Sequence, residues 1–164
     1  MRIFCFPHIY KIKNRFYKSN FNISSIRYLG YEVLFTCHHY FEDKSNVKIG
    51  DSILLSDGVR IDYSGGVVIG DNVTISMNTI ILSHKHPMRV INRNDHTAVP
   101  ARVEISDGAW IGAGAIIMPG VKIGENATVL PGCVVSENVE AYSIVQGNPG
   151  VIIASVKGIT GEDE

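Results

Sequence analysis

Residues 105–140 read as six consecutive hexads: ISDGAW (105–110), IGAGAI (111–116), IMPGVK (117–122), IGENAT (123–128), VLPGCV (129–134) and VSENVE (135–140). An aliphatic residue opens each one: Ile105, Ile111, Ile117, Ile123, Val129 and Val135. Gly or Asn fills the fourth place throughout, at Gly108, Gly114, Gly120, Asn126, Gly132 and Asn138. The fifth is small or β-branched: Ala109, Ala115, Val121, Ala127, Cys133 and Val139. A period of six suits neither a helix nor a plain two-faced strand. It suits a short strand and a tight corner, repeated. Gly and Asn tolerate the positive φ that such a corner needs. First and fifth positions then point inward and stack coil on coil, while second and sixth point outward. The product is an all-β parallel β-helix, with strands pairing one coil apart at about 4.8 Å.

The same rhythm extends upstream. Ile49, Leu55 and Ile61 open one coil of three hexads, and Ile69, Ile75 and Ile81 open another. Two extra residues, Val67 and Val68, break the register between them beside Gly65-Gly66. After Ile81 the rhythm fails. Residues 87–104 hold two prolines, five charged residues and no hexad, so a protruding loop is expected there. Binding and catalytic residues concentrate on loops that a rigid scaffold carries.

Two histidines stand at the break, in Ser-His-Lys-His-Pro (83–87). His86 occupies a sixth, outward position, and Trp110 occupies the same position 24 residues later. If the loop adds six residues to an 18-residue coil, the two share a face in neighbouring coils. A neutral His titrates near pH 7 and can take the proton of a hydroxyl as its oxygen turns nucleophile. No Ser or Cys is placed as a nucleophile beside such a base, so direct transfer is the simpler route. The spacing favours His86 as base, with His84 orienting or supporting it. Asp57 and Asp62 lie in the preceding coil, where a carboxylate can accept hydrogen bonds from a ligand's hydroxyls. Arg89 and Arg93 in the loop suit an anionic ligand group, a carboxylate or a phosphate. His96, also in the loop, reads as a solvated side chain.

These motifs resemble the hexapeptide-repeat acyltransferases over roughly residues 47–153. WIGAGAIIMPGVKIG followed by YSIVQGNPG is similar to the signature of the sugar O-acetyltransferases. The resemblance implies a left-handed β-helix, a hand that opposes the usual right-handed crossover. It implies a base His just before a Pro, as in His86-Pro87, with a Trp after the loop, as at Trp110. It implies acetyl-CoA as donor and a homotrimer with active sites between subunits. The pantetheine arm would run past Ala113 and Pro131, with Ser136 further along and Gly147-Asn148-Pro149 toward the adenine. Many relatives carry Lys where this chain has Glu137, and basic residues where it reads Val-Ile-Ile-Ala. The expected function is O-acetylation of a sugar or surface-polysaccharide precursor. The alternatives are N-acetylation of an amino sugar and a non-catalytic trimeric scaffold. No metal is required, because the zinc relatives of this fold need an H-x4-H pair that is absent from the sequence.

At 164 residues and 45% hydrophobic, the chain suits one domain: a cap segment at 1–46, the β-helix at 47–153 and a polar tail at 154–164. No apolar run reaches membrane-spanning length, and Lys11, Lys13 and Arg15 interrupt any signal core. Three cysteines without metal spacing read as free thiols in a reducing cytoplasm, with Cys133 as a small core residue. A net charge of −1 hides an asymmetry, since residues 1–30 carry six Lys or Arg and no acid. With Phe4, Phe6, Tyr10, Phe16, Tyr17 and Phe21, this arm suits either a cap on the open solenoid end or peripheral contact with the inner membrane face. Residues 31–35 suit a strand. His38 and His39, being adjacent, would point to opposite faces and so make no metal pair. No nucleic-acid partner is expected.

Overall fold

The structure, a computed structural model, describes residues 26–36, 47–87 and 98–156. Every element among them is a strand, and three sheets form the faces of a left-handed parallel β-helix. Face A stacks Ile26–Leu29, Ile53–Leu55, Thr74–Ile75, Trp110–Ile111, Thr128–Val129 and Ser143–Gln146, then adds Val151–Ser155 antiparallel. Face B stacks Leu34–Thr36, Arg60–Asp62, Ile80–Ile81, Ile116–Ile117 and Val134–Val135. Face C stacks Val47–Ile49, Val67–Ile69, Val103–Ile105 and Lys122–Ile123.

The hexad grammar explains this stacking. First-position side chains pair directly across coils: Ile105 with Ile123, Ile111 with Val129, Ile117 with Val135. They are almost wholly buried, as are the fifth-position Ala109, Ala115, Ala127 and Cys133. Each buried Ile or Val contributes about 1.5–3 kcal/mol, and the core is a thin column of such layers. Small fifth-position residues fit because the interior of a narrow coil cannot hold two large rows. Positive φ falls on the fourth position at Gly108, Gly114, Gly120, Asn126 and Gly132. Burial pushes the Cys133 thiol pKa up, as suits a core residue.

The coil boundaries differ from the expected ones at both ends. Leu29 pairs with Leu55 and Phe35 with Ile61, so faces A and B begin before residue 47. The strand expected over 31–35 is Leu34–Thr36, preceded by a turn at Tyr31 and Glu32. At the other end, the sixth hexad is cut short. Val139 bridges Ile123, only 16 residues away, and no positive φ falls at Asn138; the next corner falls on Tyr142, in the place equivalent to Asn126 one coil away. Asn138 instead accepts the Lys122 N–H through Oδ1 at 2.9 Å. The chain therefore stays on the coil beyond Ala141. Val145 is a buried first-position residue paired with Val129. The cap at 1–25, the segment 37–46 with Cys37, His38 and His39, and the tail beyond 156 lie outside the described residues.

Candidate functional site

Two interruptions of the repeat, after Ile61 and after Ile81, fall at one corner, between faces B and C. Ile61 to Ile69 takes eight residues where a hexad takes six, and one coil later Ile81 to Ile105 takes 24. Ile69 and Ile105 nevertheless pair directly, and so do Ile75 with Ile111 and Ile81 with Ile117. The loop is thus an 18-residue insertion and not a six-residue one. That removes the equivalence of His86 and Trp110. Trp110 pairs with Thr74 on face A, is 43% exposed, and donates its indole N–H to Ser76 Oγ at 3.2 Å. Both histidines leave face B at the opposite side of the loop's base.

The loop rises and returns as a two-stranded antiparallel ribbon, His84–Lys85 with Val99–Pro100. Its base is clamped to the short bulge below. Asp62, 8% exposed, ends a strand of face B and projects under the ribbon. Its Oδ2 accepts His84 Nδ1 at 2.7 Å, the Ser83 N–H at 2.9 Å and the Ser83 hydroxyl at 3.2 Å. Its Oδ1 accepts the Ser64 N–H at 3.1 Å and the Ser64 hydroxyl. Burial alone would raise the Asp62 pKa. The hydrogen bonds from the Ser64 hydroxyl, the Ser83 backbone, His84 and the Ser64 backbone outweigh it and hold the carboxyl below its ordinary value of 3.8.

Asp62 is therefore a carboxylate at neutral pH, and a carboxylate only accepts. The His84 Nδ1 must carry the proton, which leaves the neutral ring's lone pair on Nε2. The ring of His86, on an exposed residue, meets that of His84 edge-on at 5.2 Å between centroids. The arrangement is a buried acid, an oriented imidazole and a second imidazole beside it. It can remove a proton from a neutral hydroxyl.

The expected acceptor ligands are placed differently. Asp62 faces His84 and two serines, so its oxygens are turned inward rather than toward a sugar. Asp57 stands at the corner between faces A and B, where it accepts the Tyr31 N–H and closes a turn. Arg89, Arg93 and His96 lie outside the described residues. Ser64 and Ser83, 1% and 0% exposed, had no part in the sequence reading. The signal for them was present: both breaks in the period stack at one corner, and each brings a serine.

The positions matched to the donor form a second line. Ala113 and Pro131 occupy equivalent places at the A–B corner in successive coils, and Gly132 N–H donates to Ala113 O at 2.8 Å. Gly147 continues the line, accepting the Val134 N–H at 3.0 Å, and leads to the exposed Pro149. Ser136 stands at the B–C corner, exposed, beside exposed Glu137. Backbone edges and small side chains suit a slender amide-bearing chain here. No Lys or Arg occurs between 134 and 156 to meet its phosphates.

Asp62→Asn isolates the electrostatic part. The folded pKa lies below the unfolded one, so the ionised carboxylate stabilises the fold above about pH 5, and that contribution is lost as pH falls through 3.8 toward the folded value. The variant is expected to lose about 1–3 kcal/mol at pH 7. The gap to the parent should narrow at pH 3, in urea titrations followed by circular dichroism. A gap that stays constant with pH would refute the charged state.

Family models for the bacterial transferase hexapeptide (six repeats) and for the hexapeptide repeat of succinyl-transferase match residues 102–137 and 47–83. A candidate acetyltransferase of Dictyostelium discoideum is 36% identical over 111 residues, 68% of this chain and 58% of that protein. The chain thus spans about three-fifths of that curated relative's length. Among solved structures, a hexapeptide-repeat acetyltransferase of Vibrio cholerae complexed with acetyl coenzyme A superposes with a TM-score of 0.68 at 27% identity, over 79% of this chain and 71% of that one. A maltose O-acetyltransferase of Clostridium difficile gives 0.66 at 26%, over 81% and 71%. On its repeats, its coils and these likenesses, the chain belongs to the hexapeptide-repeat acyltransferase family.

Proposed function

We propose that the protein is an acetyl-CoA-dependent O-acetyltransferase acting on a sugar hydroxyl, with His84 as general base. The observation that carries this is the Asp62–His84 pair at 2.7 Å beneath a loop that interrupts the repeat. The donor supplies an activated acetyl thioester, and its pantetheine arm would lie along Ala113, Pro131 and Gly147. His84 Nε2 takes the acceptor proton as the hydroxyl oxygen attacks the acetyl carbonyl. Asp62 stabilises the imidazolium that results and keeps the ring in place. The same Nε2–H then protonates the departing sulfur, which restores the neutral ring. His86, Trp110 and Arg89 are assigned to the acceptor side. The sugar class rests on the signature residues and on the likeness to the maltose enzyme.

Two surfaces support a trimer. The outward row of face A reads Tyr28, Leu54, Thr74, Trp110, Thr128 and Ile144 without a charge, whereas face C presents Lys48, Glu104 and Lys122. Trp110 and His84 stand on different faces of one chain, so a pocket holding both needs a neighbouring subunit. The reading places the protein in the cytoplasm, with its basic arm toward the membrane. Thiol release from acetyl-CoA across a panel of hexoses, acidic sugars and amino sugars tests the substrate class. Acceptor-dependent release with a neutral or acidic sugar is expected. Release only with amino sugars would move the reading to N-acetylation, and the absence of release with every acceptor would favour the scaffold.

A further inference from the structure

The His84 ring is oriented by Asp62, but a buried carboxylate on a strand end can itself turn about its last torsion. What stops it is visible in the same corner. Ser64 grips Oδ1 through both its N–H and its hydroxyl. Ser83 grips Oδ2 through its N–H at 2.9 Å and its hydroxyl at 3.2 Å. The Ser83 hydroxyl also has a fixed polarity. Its oxygen accepts the Gly65 N–H at 2.8 Å, and a backbone N–H can only donate. The carboxylate can only accept, so the hydroxyl proton must point at Asp62. The bonds run one way, from the Gly65 N–H to the Ser83 oxygen and from the Ser83 O–H to Asp62. Asp62 then meets the His84 N–H from the other side.

The serines come from different coils: Ser64 from the two-residue bulge, Ser83 from the root of the 18-residue insertion. Neither reaches solvent. A buried hydroxyl with nothing to hold would carry a desolvation cost and no return; here each holds one carboxylate oxygen.

We infer that Ser64 and Ser83 are positioning residues, a two-hydroxyl clamp that holds the Asp62 carboxylate in the orientation that keeps the His84 proton on Nδ1. This deepens the proposed function and rests on it for its catalytic meaning, although the clamp itself is a property of the folded chain. An imidazole in water favours the proton on Nε2, so an unclamped Asp62 would let His84 drift toward the wrong tautomer for a base.

The test is nitrogen-15 correlation spectroscopy of the His84 ring in the full chain, at a pH where the ring is neutral. In the wild type the Nδ1–H tautomer is expected to dominate, and the Ser64 and Ser83 hydroxyl protons should be seen in slow exchange. In Ser64→Ala and in Ser83→Ala the ratio of Nδ1–H to Nε2–H should fall about tenfold, the loss expected for one hydrogen bond to a charged group. Ser83→Thr, which keeps the hydroxyl, should restore it. Wild-type His84 protonated on Nε2, or an unchanged ratio in both alanine variants, overturns the clamp, and the wild-type reading needs no variant to fold. The outcomes separate from those of the function. A shifted ratio with full activity in His84→Ala leaves the clamp standing and removes the base assignment. An unchanged ratio with no activity in His84→Ala does the reverse.

Discussion

Replacing His84 by alanine is expected to lower acetyl transfer by about a hundredfold or more, the usual contribution of a general base. His86→Ala should cost less, about tenfold or under, and should act on acceptor KM more than on kcat. The difference follows from burial and partners. His84 is held at 2.7 Å by an ionised carboxylate, which fixes its tautomer. His86 sits on an exposed residue, with its ring edge-on to His84. A base must be held where the proton is, and the Asp62 carboxylate does this for His84. Steady-state kinetics on both variants with one good acceptor checks this. Full turnover in His84→Ala together with collapse in His86→Ala would transfer the base role to His86, the residue that the His-Pro motif matches.

Gly65→Ala should be the most damaging small change in the structure. A Cβ there would fall inside the contact shells of the Ser83 carbonyl oxygen and the Ala101 amide nitrogen, and 3.0 Å from Pro100 Cα. All three are backbone, so no side chain can turn aside to make room. Ala101 N–H donates to that same Ser83 oxygen at 2.7 Å, which closes the base of the insertion. A methyl group must therefore pry the returning strand off the bulge, at about 1–3 kcal/mol for overpacking and more if the hydrogen bond is lost. Thermal melting should show the loss, and transfer should fall with it because Ser83 moves. By contrast, nothing lies within 4 Å of a Cβ at Gly114. Gly114→Ala should cost only the strain of its positive φ, about 1 kcal/mol. Equal melting of the Gly65 and Gly114 variants would contradict the packing of this corner.

The helical coils were legible because their cause is local. Each hexad carries its own inward residue, corner residue and small filler, so the register can be counted without knowing any distant contact. Counting failed where the register slipped. A two-residue loss after Val135 removed the positive-φ corner expected at Asn138, and the next corner falls on Tyr142, where neither Gly nor Asn marks it. At the N-terminal end, Leu29 and Phe35 keep the six-residue spacing with Val33 buried between them, but the positive-φ corner falls on Glu32 and no Gly or Asn marks it.

The site was half legible. The loop, both histidines and Asp62 were marked by the broken rhythm. Their roles depended on the insertion length, which strand pairing sets and spacing does not. With 18 residues inserted rather than six, Trp110 moves to face A and the 24-residue coincidence with His86 carries no geometry. Asp62 was read as facing a ligand because a second-position side chain points outward in an ordinary hexad. The bulge after it folds over and buries it. Ser64 and Ser83 were passed over because a serine's meaning lies in its partners.

Acetyl-CoA binding, measured by calorimetry on the purified chain, tests the central claim most directly. One site per chain at micromolar strength is expected, along the line of Ala113, Pro131 and Gly147, despite exposed Glu137 and the absence of Lys or Arg from 134 to 156. No heat of binding at millimolar donor would contradict it. The β-helix would then be a scaffold or the user of another donor, and the Asp62–His84 pair would have no thioester to act on.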